Sequence, residues 1–417
     1  MMLLAVILTL LLKTITVVPE SDMPYEIRMY PTVTEGNIER AIRSAQAGDT
    51  LFLKNGVYEA SRKPYVEYNC GNCEDEFTRV EATVGFRIDG RPLTILGEDQ
   101  DSTVLITNSG YGILFDYASG STIANVTITG GRRDDDANAT DAAVVVKNGR
   151  VTIEACRILN NWDIWEKTVV GIGGIMGREG ADLIIHNNLI AGNSWDGVAL
   201  YRGSQAVITD NAIMNGRGAC IGITWDARAE VSGNRCSGYW KGIGAFGETD
   251  VTVSNNAVFD NLGWGIVATG EAHMEAINNV IYHNGNCGFA TWTPAVTGRL
   301  TNNIIVENGW HEEWVCPGVG IWMRASLLDF PVTYNDVWHN YQGEYSGVED
   351  QTILNGNISM DPMFENLRTF ELHPGSPCKD TGDPTIPSPD STGSDMGLSS
   401  PHRIPWRAPE WGDAGVR

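Results

Sequence analysis

The sequence predicts an all-β chain wound into a solenoid of short parallel strands, and three observations carry that expectation. An asparagine recurs at Asn188, Asn211, Asn234, Asn256, Asn279 and Asn303, at spacings of 23, 23, 22, 23 and 24 residues. A glycine followed by an apolar residue recurs at Gly174, Gly197, Gly222, Gly242, Gly265, Gly288 and Gly320. Glycine is abundant, 47 of 417 residues, while only 19% of residues are charged, a balance that suits turns and strands better than helical bundles. A lap of this length holds about three short strands and is too short for helical hairpin repeats of about 33 residues.

From the N-terminus, "MMLLAVILTLLLKTITVVPES" has an apolar run from Leu3 to Leu12, broken only at Thr9 and followed by Lys13. The run is too short to span a bilayer comfortably and fits the apolar part of an export signal, although no Lys or Arg precedes it. Residues 1–22 are read as a signal peptide, and the protein as secreted or cell-surface with no integral membrane span. Ile38, Ala41, Ile42 and Ala45 make an apolar stripe at helical spacing. A short helix near residues 36–47 would cover the open end of a solenoid. Export permits disulfides among the eight cysteines, and Cys70 with Cys73 in "NCGNCEDE" is the pair favoured here. The same CxxC could be half a metal site, but no second CxxC or His pair accompanies it.

Within the laps, residues two after each asparagine (Ile190, Ile213, Cys236, Val258, Ile281 and Ile305) read as core, and so do those one after each glycine. Cys236 stands in an aliphatic slot, as a small buried hydrophobe. If each repeat is one turn of a wound sheet, like residues stack about 4.8 Å apart. A side-chain amide in every lap can then bond to the amides above and below, and asparagine also tolerates the left-handed backbone of a sharp corner.

The asparagine column, the Gly-apolar strand openings and the segment "GNIERAIRSAQAGDTLFLKNGVYE" resemble the single-stranded right-handed parallel β-helix of the pectin-lyase-like superfamily. The likeness covers roughly residues 49–364. The segment "MDPMFENLRTFELHPGSPCKDTGDP", followed by "DSTGSDMG", resembles the closing part of exported bacterial β-helix proteins. This implies a coil over residues 23–364, then a closing segment and tail over 365–417. It specifies fold far better than function.

Regular laps advertise function where they are irregular. From the asparagine to the next strand-opening glycine, consecutive laps between Asn188 and Gly288 use 9, 11, 8, 9 and 9 residues. The same turn takes 17 residues from Asn303 to Gly320, 18 from Cys156 to Gly174 and 16 from Val126 to Ala142. Three insertions on one corner would wall off the short-turn laps between them. Trp162, Trp165, Trp195, Trp240, Trp264, Trp310 and Trp314 fall in this turn, seven of 13 tryptophans. Such aromatic faces suit stacking on sugar rings. Asp196, Arg217, Tyr239, Lys241, Asp260 and His283 are their expected polar companions. Four residues after each glycine, outward side chains would be Arg178, Tyr201, Asp226, Phe246, Thr269, Trp292 and Arg324. Trp225 should point inward.

Glycan lyases and epimerases of the resembled superfamily abstract a proton beside a uronate carboxylate, with a base and a neutralising cation. Lys241, Arg217, Tyr239 and His283 are candidates for that work. Hydrolases of this fold use clustered aspartates, for which Asp196 and Asp226 are candidates. Asp134, Asp135, Asp136 and Asp141 could hold Ca²⁺, though acidic runs in loops are more often solvated. The superfamily's "GHG", "RIK" and "DPHD" segments are missing, so none of its catalytic residues carries over. A formal charge of −23 repels nucleic acid, and also polyuronates unless a cation intervenes. The favoured reading is a monomeric polysaccharide lyase or epimerase, for which the glycan could contain uronate. The alternatives are a non-catalytic surface or matrix solenoid and a glycoside hydrolase.

Overall fold

The computed structural model describes residues 12–19, 34–35, 37–135, 138–165, 170–311, 315–387 and 393–399. Among them, three long sheets of 13, 11 and 12 strands wrap around one core. Each lap visits the sheets in the same order: Asp182–His186 lies in the first, Leu189–Ala191 in the second and Val198–Leu200 in the third. Successive laps pair in parallel, so like residues stack. Inward aliphatics such as Ile185, Ile190 and Val198 are fully buried.

The asparagine column is a continuous buried ladder at the corner between the first and second sheets. Nδ2 of Asn188, Asn211, Asn234, Asn256 and Asn279 each donates to Oδ1 of the next asparagine at 2.9–3.1 Å. Asn303 and Asn335 continue the ladder to Asn357. Each Oδ1 accepts a second bond from the backbone of the lap before, as Asn211 does from Asn188 N at 2.9 Å. The left-handed backbone belongs to the residue ahead of the ladder: Asn187, Asn255, Asn278 and Asn302 have φ of 54–59°. The paired asparagines therefore divide two tasks between them, one turning the corner and the other bonding along the stack.

A second ladder lies at the corner between the second and third sheets. Asn161 donates to Asn193 at 2.9 Å, and Asn261, Asn284 and Asn308 continue to Asn340 at 2.9–3.0 Å. In the two laps between these runs the position is held by Gly216 and Tyr239, whose ring fills the space over Gly216. Tyr239 N still donates to Asn261 Oδ1 at 3.1 Å. The recurrent glycines have negative φ. A Cβ at Gly242, Gly265 or Gly288 would collide with the carbonyl of the next lap and with an amide of this ladder.

One register expectation fails. Val198 pairs with Ile221 and Ala199 with Gly222, so the counterpart of Gly197 is Cys220. From Cys220 to Asn234 is the same 14 residues found in neighbouring laps. Thr224, not Asp226, then aligns with Phe246.

The helix Ile38–Ser44 turns Ile38, Ala41 and Ile42 into the open end of the core, and the Asn37 side chain caps it by accepting from Arg40 N. Thr14–Val17, inside the segment read as leader, is a strand of the first sheet pairing with Thr50–Leu53. At the other end, residues 364–387 and 393–399 lie along the outside of the second sheet. Phe370, Cys378, Met396 and Leu398 pack there on Ala257, Val280 and Ile304. The corner asparagines grip this strap: Asn302 donates to Ser394 Oγ, Asn278 to the Asp395 and Gly397 carbonyls, and Asn255 accepts from Ser399 N.

Asn256→Ala removes the partner of both Asn234 N and Asn234 Nδ2 inside a dry corner. The expected loss is roughly 2–4 kcal/mol, read as a lower urea midpoint at unchanged slope.

Candidate functional site

The three insertions all join a strand of the second sheet to a strand of the third: Thr127–Thr129 to Ala142–Lys147, Arg157–Leu159 to Gly173–Arg178, and Ile304–Val306 to Ile321–Met323. They rise from one corner, beside the outer face of the third sheet.

The N-terminal laps of that face are covered. The strand Lys63–Glu67 pairs antiparallel with Val80–Asp89, and the loop between them carries a disulfide joining Cys70 to Cys73. With Tyr65 and Tyr111 this excursion buries Leu114, Val145 and Met176. Beneath it lies a buried ionic cluster. Arg178, expected as an outward ligand group, is fully buried, donating to Glu67 Oε1 at 2.5 Å and to Tyr111 Oη at 2.8 Å. Lys147 pairs with the other Glu67 oxygen. Burial alone would raise the Glu67 carboxyl, but Arg178 and Lys147 hold it below its ordinary value. Arg202 bonds the Cys73 and Glu74 carbonyls while its guanidinium lies 4.2 Å from the Trp225 ring centroid. Trp225 is thus half-buried against this cover, not turned inward.

Asp134 and Asp141 of the first insertion are engaged by protein partners. Asp134 accepts from Arg62 at 2.8 Å and from Thr83 N and Oγ1 at 2.7 Å, and Asp141 pairs with buried Arg133. Burial raises the Asp141 carboxyl, opposed by Arg133 and reinforced by Asp134. Asp135 is exposed, and Asp136 lies outside the described residues. Among the described residues, no three His, Cys, Asp or Glu side chains converge on a metal-sized position.

The C-terminal laps of the same face carry an aromatic series. Trp240, Trp264, Trp292 and Trp322 meet edge to face, with ring centroids 6.4, 5.4 and 4.6 Å apart. Trp264 is 9% exposed, and the other three are half-buried. Farther round the corner, His283 stacks on Trp310 at 5.5 Å and its Nδ1 lies 2.8 Å from Asp260 Oδ1. Trp162 stands 56% exposed on the second insertion, Trp195 and Arg217 are half-buried in short turns, and Arg324 is exposed. The Trp165 side chain and all of Trp314 lie outside the described residues.

Between the two covers the outer face is made of small residues, Ala199, Gly222 and Gly244, with Ala219 in the turn strand beside them. Around this bed stand Asp196, Tyr201, Lys241 and Phe246, all half-buried. Asp196 Oδ1 accepts from Ala219 N at 2.6 Å, and Oδ2 lies over Gly222. Lys241 Nζ lies 5.3 Å from the Phe246 ring centroid and 6.0 Å from that of Trp264, with no carboxylate within 4.0 Å among the described residues. Burial raises the Asp196 carboxyl to about 6, against the opposing pulls of Ala219 N and Lys241. Burial also pushes the Tyr201 hydroxyl up, and Asp196 adds to that.

Two sequence expectations do not meet here. Tyr239 is fully buried in the core, its hydroxyl raised by burial, because it plugs the gap in the second ladder. Asp226 is exposed on the turn after Trp225, where it accepts from Gly203 N. Phe246 and the small bed had a legible signal, the alternation of Gly and Ala with larger residues. The ionic cover had none, since its partners lie up to 111 positions apart.

A coil of parallel sheets with stacked asparagines and lengthened turns on one corner defines a parallel β-helix. The chain belongs to the right handed beta helix region family, whose model matches residues 95–235 and 215–337. Among solved structures it is similar to the pectate lyase Pel9A, with 13% identity over 94% of this chain and 96% of that one and a TM-score of 0.56. Weaker likenesses include the A-module of the mannuronan C-5 epimerase AlgE6 of Azotobacter vinelandii, with 14% identity over 78% of this chain and 93% of that one, TM-score 0.42. The PL6 family alginate lyase AlyGC shows 11% identity over 94% and 58%, TM-score 0.43. No curated protein is similar in sequence.

Two carboxylates give opposite pH signatures. Glu67 is held low, so its contribution is present above the unfolded carboxylate range and lost as pH falls through the folded value. Glu67→Gln should cost roughly 2–4 kcal/mol at pH 7 and converge with the parent in acid. Asp196 is held high, so its ionisation opposes folding as pH rises through about 6. Asp196→Asn should gain about 1–2 kcal/mol at pH 7, a gain that vanishes below about pH 4. Denaturant titrations at several pH values read both.

Proposed function

We propose that the protein is an exported polysaccharide-acting enzyme of the lyase or epimerase type, with its reacting centre on the small-residue bed. One observation carries the reading: a half-buried ammonium, Lys241, lies against the Phe246 and Trp264 rings on the same face as a carboxylate held high, Asp196, with no ion-pair partner for the cation among the described residues. A salt bridge built for stability would have paired them.

In this reading a uronate ring lies beside Ala199 and Gly222, between Asp196 and the Phe246 ring that covers Gly244. Phe246 and the Trp240–Trp264–Trp292 series offer apolar edges to neighbouring sugars. The Lys241 ammonium meets the sugar carboxylate and makes the adjacent carbon acid stronger. Asp196 Oδ2 takes the proton, while Ala219 N keeps the other oxygen in place. Expulsion of the glycosidic oxygen at the neighbouring carbon gives a lyase, and reprotonation from the opposite face gives an epimerase. The pectate lyase to which this fold is similar acts on an acidic glycan, which agrees with a cation on the floor. In this reading an elongated ligand lies along the outer face between the two covers.

Turnover is tested on a panel of uronate and neutral glycans, with and without calcium. Rising ultraviolet absorbance marks an unsaturated product, and nuclear magnetic resonance marks inversion. Lys241→Ala should lower kcat/KM by about 100-fold or more, while leaving circular dichroism unchanged. The rate should rise with pH through about 6, as Asp196 ionises. Asp196→Asn should be more stable yet inactive, a combination that a structural carboxylate does not give. Quenching of tryptophan fluorescence without turnover anywhere in the panel would leave a glycan-binding solenoid instead.

A further inference from the structure

The third insertion leaves the coil after Val306 and rejoins it at Ile321, and Cys316 lies on its returning limb. Cys287 lies in the short turn one lap earlier. Their sulfurs stand 3.2 Å apart, with the two residues 0% and 3% exposed. The surroundings are apolar: Trp264, Val267, Ala290 and Val319, with Trp292 and Trp240 beyond. Trp264 Nε1 donates to Cys316 Sγ at 3.1 Å, so the thiol pair also sets the attitude of the most buried indole in the aromatic series.

These two cysteines differ from the others in what a bond between them would restrain. Cys156, Cys220 and Cys236 lie inside the coil, where strand pairing and ladders already fix every lap. Cys287 and Cys316 instead face each other across the base of a lengthened turn that carries no strand from 307 to 320 among its described residues. A link there closes a loop of 29 residues, long enough to restrict the unfolded chain appreciably. The chain already makes one such bond, Cys70–Cys73, in the opposite cover.

We propose that Cys287 and Cys316 close as a disulfide that fastens the third insertion to the coil and holds Trp264 in place. The step needs a disulfide donor such as oxidised glutathione. The two thiols lose two protons and two electrons and form one S–S bond, while the donor's bond is cleaved to two thiols. Burial pushes the Cys287 thiol up, with the neighbouring Cys316 adding to the effect, so little thiolate exists once the insertion is seated. The bond therefore forms as the insertion closes, and afterwards it is shielded from exchange.

The test uses the full chain, equilibrated with oxidised glutathione, alkylated in denaturant and digested without reductant. Cleavage after Arg299 separates the two cysteines. Mass spectrometry should find their peptides joined and released by dithiothreitol. Amide hydrogen exchange over residues 307–320 should be slower by about tenfold or more in the oxidised protein than in the reduced one. The C287S/C316S variant should exchange at the reduced rate in both buffers. Recovery of both cysteines alkylated, or either joined to glutathione or to another cysteine, would overturn the proposal. So would a joined pair whose reduction leaves exchange over 307–320 unchanged, since nothing would then be fastened. The mass readout needs only the parent protein, so a variant that fails to fold does not spare the idea.

Discussion

One hydrogen bond, repeated lap after lap, sets everything else: an asparagine amide donating to the amide of the next coil. Inside a corner from which water is excluded, each ladder oxygen accepts twice and each ladder nitrogen gives its protons to an amide and a backbone carbonyl. A lap of different length at that corner would strand several buried polar groups at once. This is why the path from a strand-opening position to the next ladder asparagine scarcely varies. From Asn188 to Asn335 extra chain accordingly falls in the turns that follow the second sheet.

The second ladder shows what happens where this demand is relaxed. It is complete from Asn261 to Asn340 and present at Asn161 and Asn193, but interrupted at Gly216 and Tyr239. The interruption falls on the laps that carry the bed between Asp196 and Lys241. A local departure from an otherwise consistent pattern is where a function is expected to sit, because regularity has been given up there without an obvious gain in packing. The two flanking covers differ in kind. One is an ionic cluster sealed under a loop, and the other is a wall of indoles.

How much of this was legible in the sequence follows from the range of the forces involved. The first ladder and the core columns recur at a fixed period, so Asn188 to Asn303 and the aliphatics near them announce the coil directly. The capping helix shows in four apolar residues. The second ladder was hidden by its two missing members, and the Gly222 column slipped by two because Cys220 occupies a slot that glycine otherwise fills. Site residues were harder. Lys241 and Asp196 were legible as polar residues of the short turns, and Tyr201 as a residue four after a strand-opening glycine, but their neighbours were not. Nothing in the spacing could reveal that Arg178 is sealed by Glu67, or that Tyr239 turns inward, since both depend on contacts with distant chain. The Asp134 carboxylate is likewise taken up by Arg62 and Thr83, partners that no local motif ties to it.

The strap over the second sheet bears on how such a coil can change its length over generations. Corner asparagines at 255, 278 and 302 hold Asp383 and residues 394–399 from outside, each meeting the strap at its own lap. Duplicating a lap within that span would slide the handholds out of step with a strap whose reach is set. Upstream, the excursion after Lys63–Glu67 is a second ruler as far as Arg202, which bonds the Cys73 and Glu74 carbonyls. Between Arg202 and Asn255 no such hydrogen-bonded ruler is seen among the described residues. Growth or shrinkage of the molecule by whole turns is therefore open in its middle and closed toward its C-terminal end.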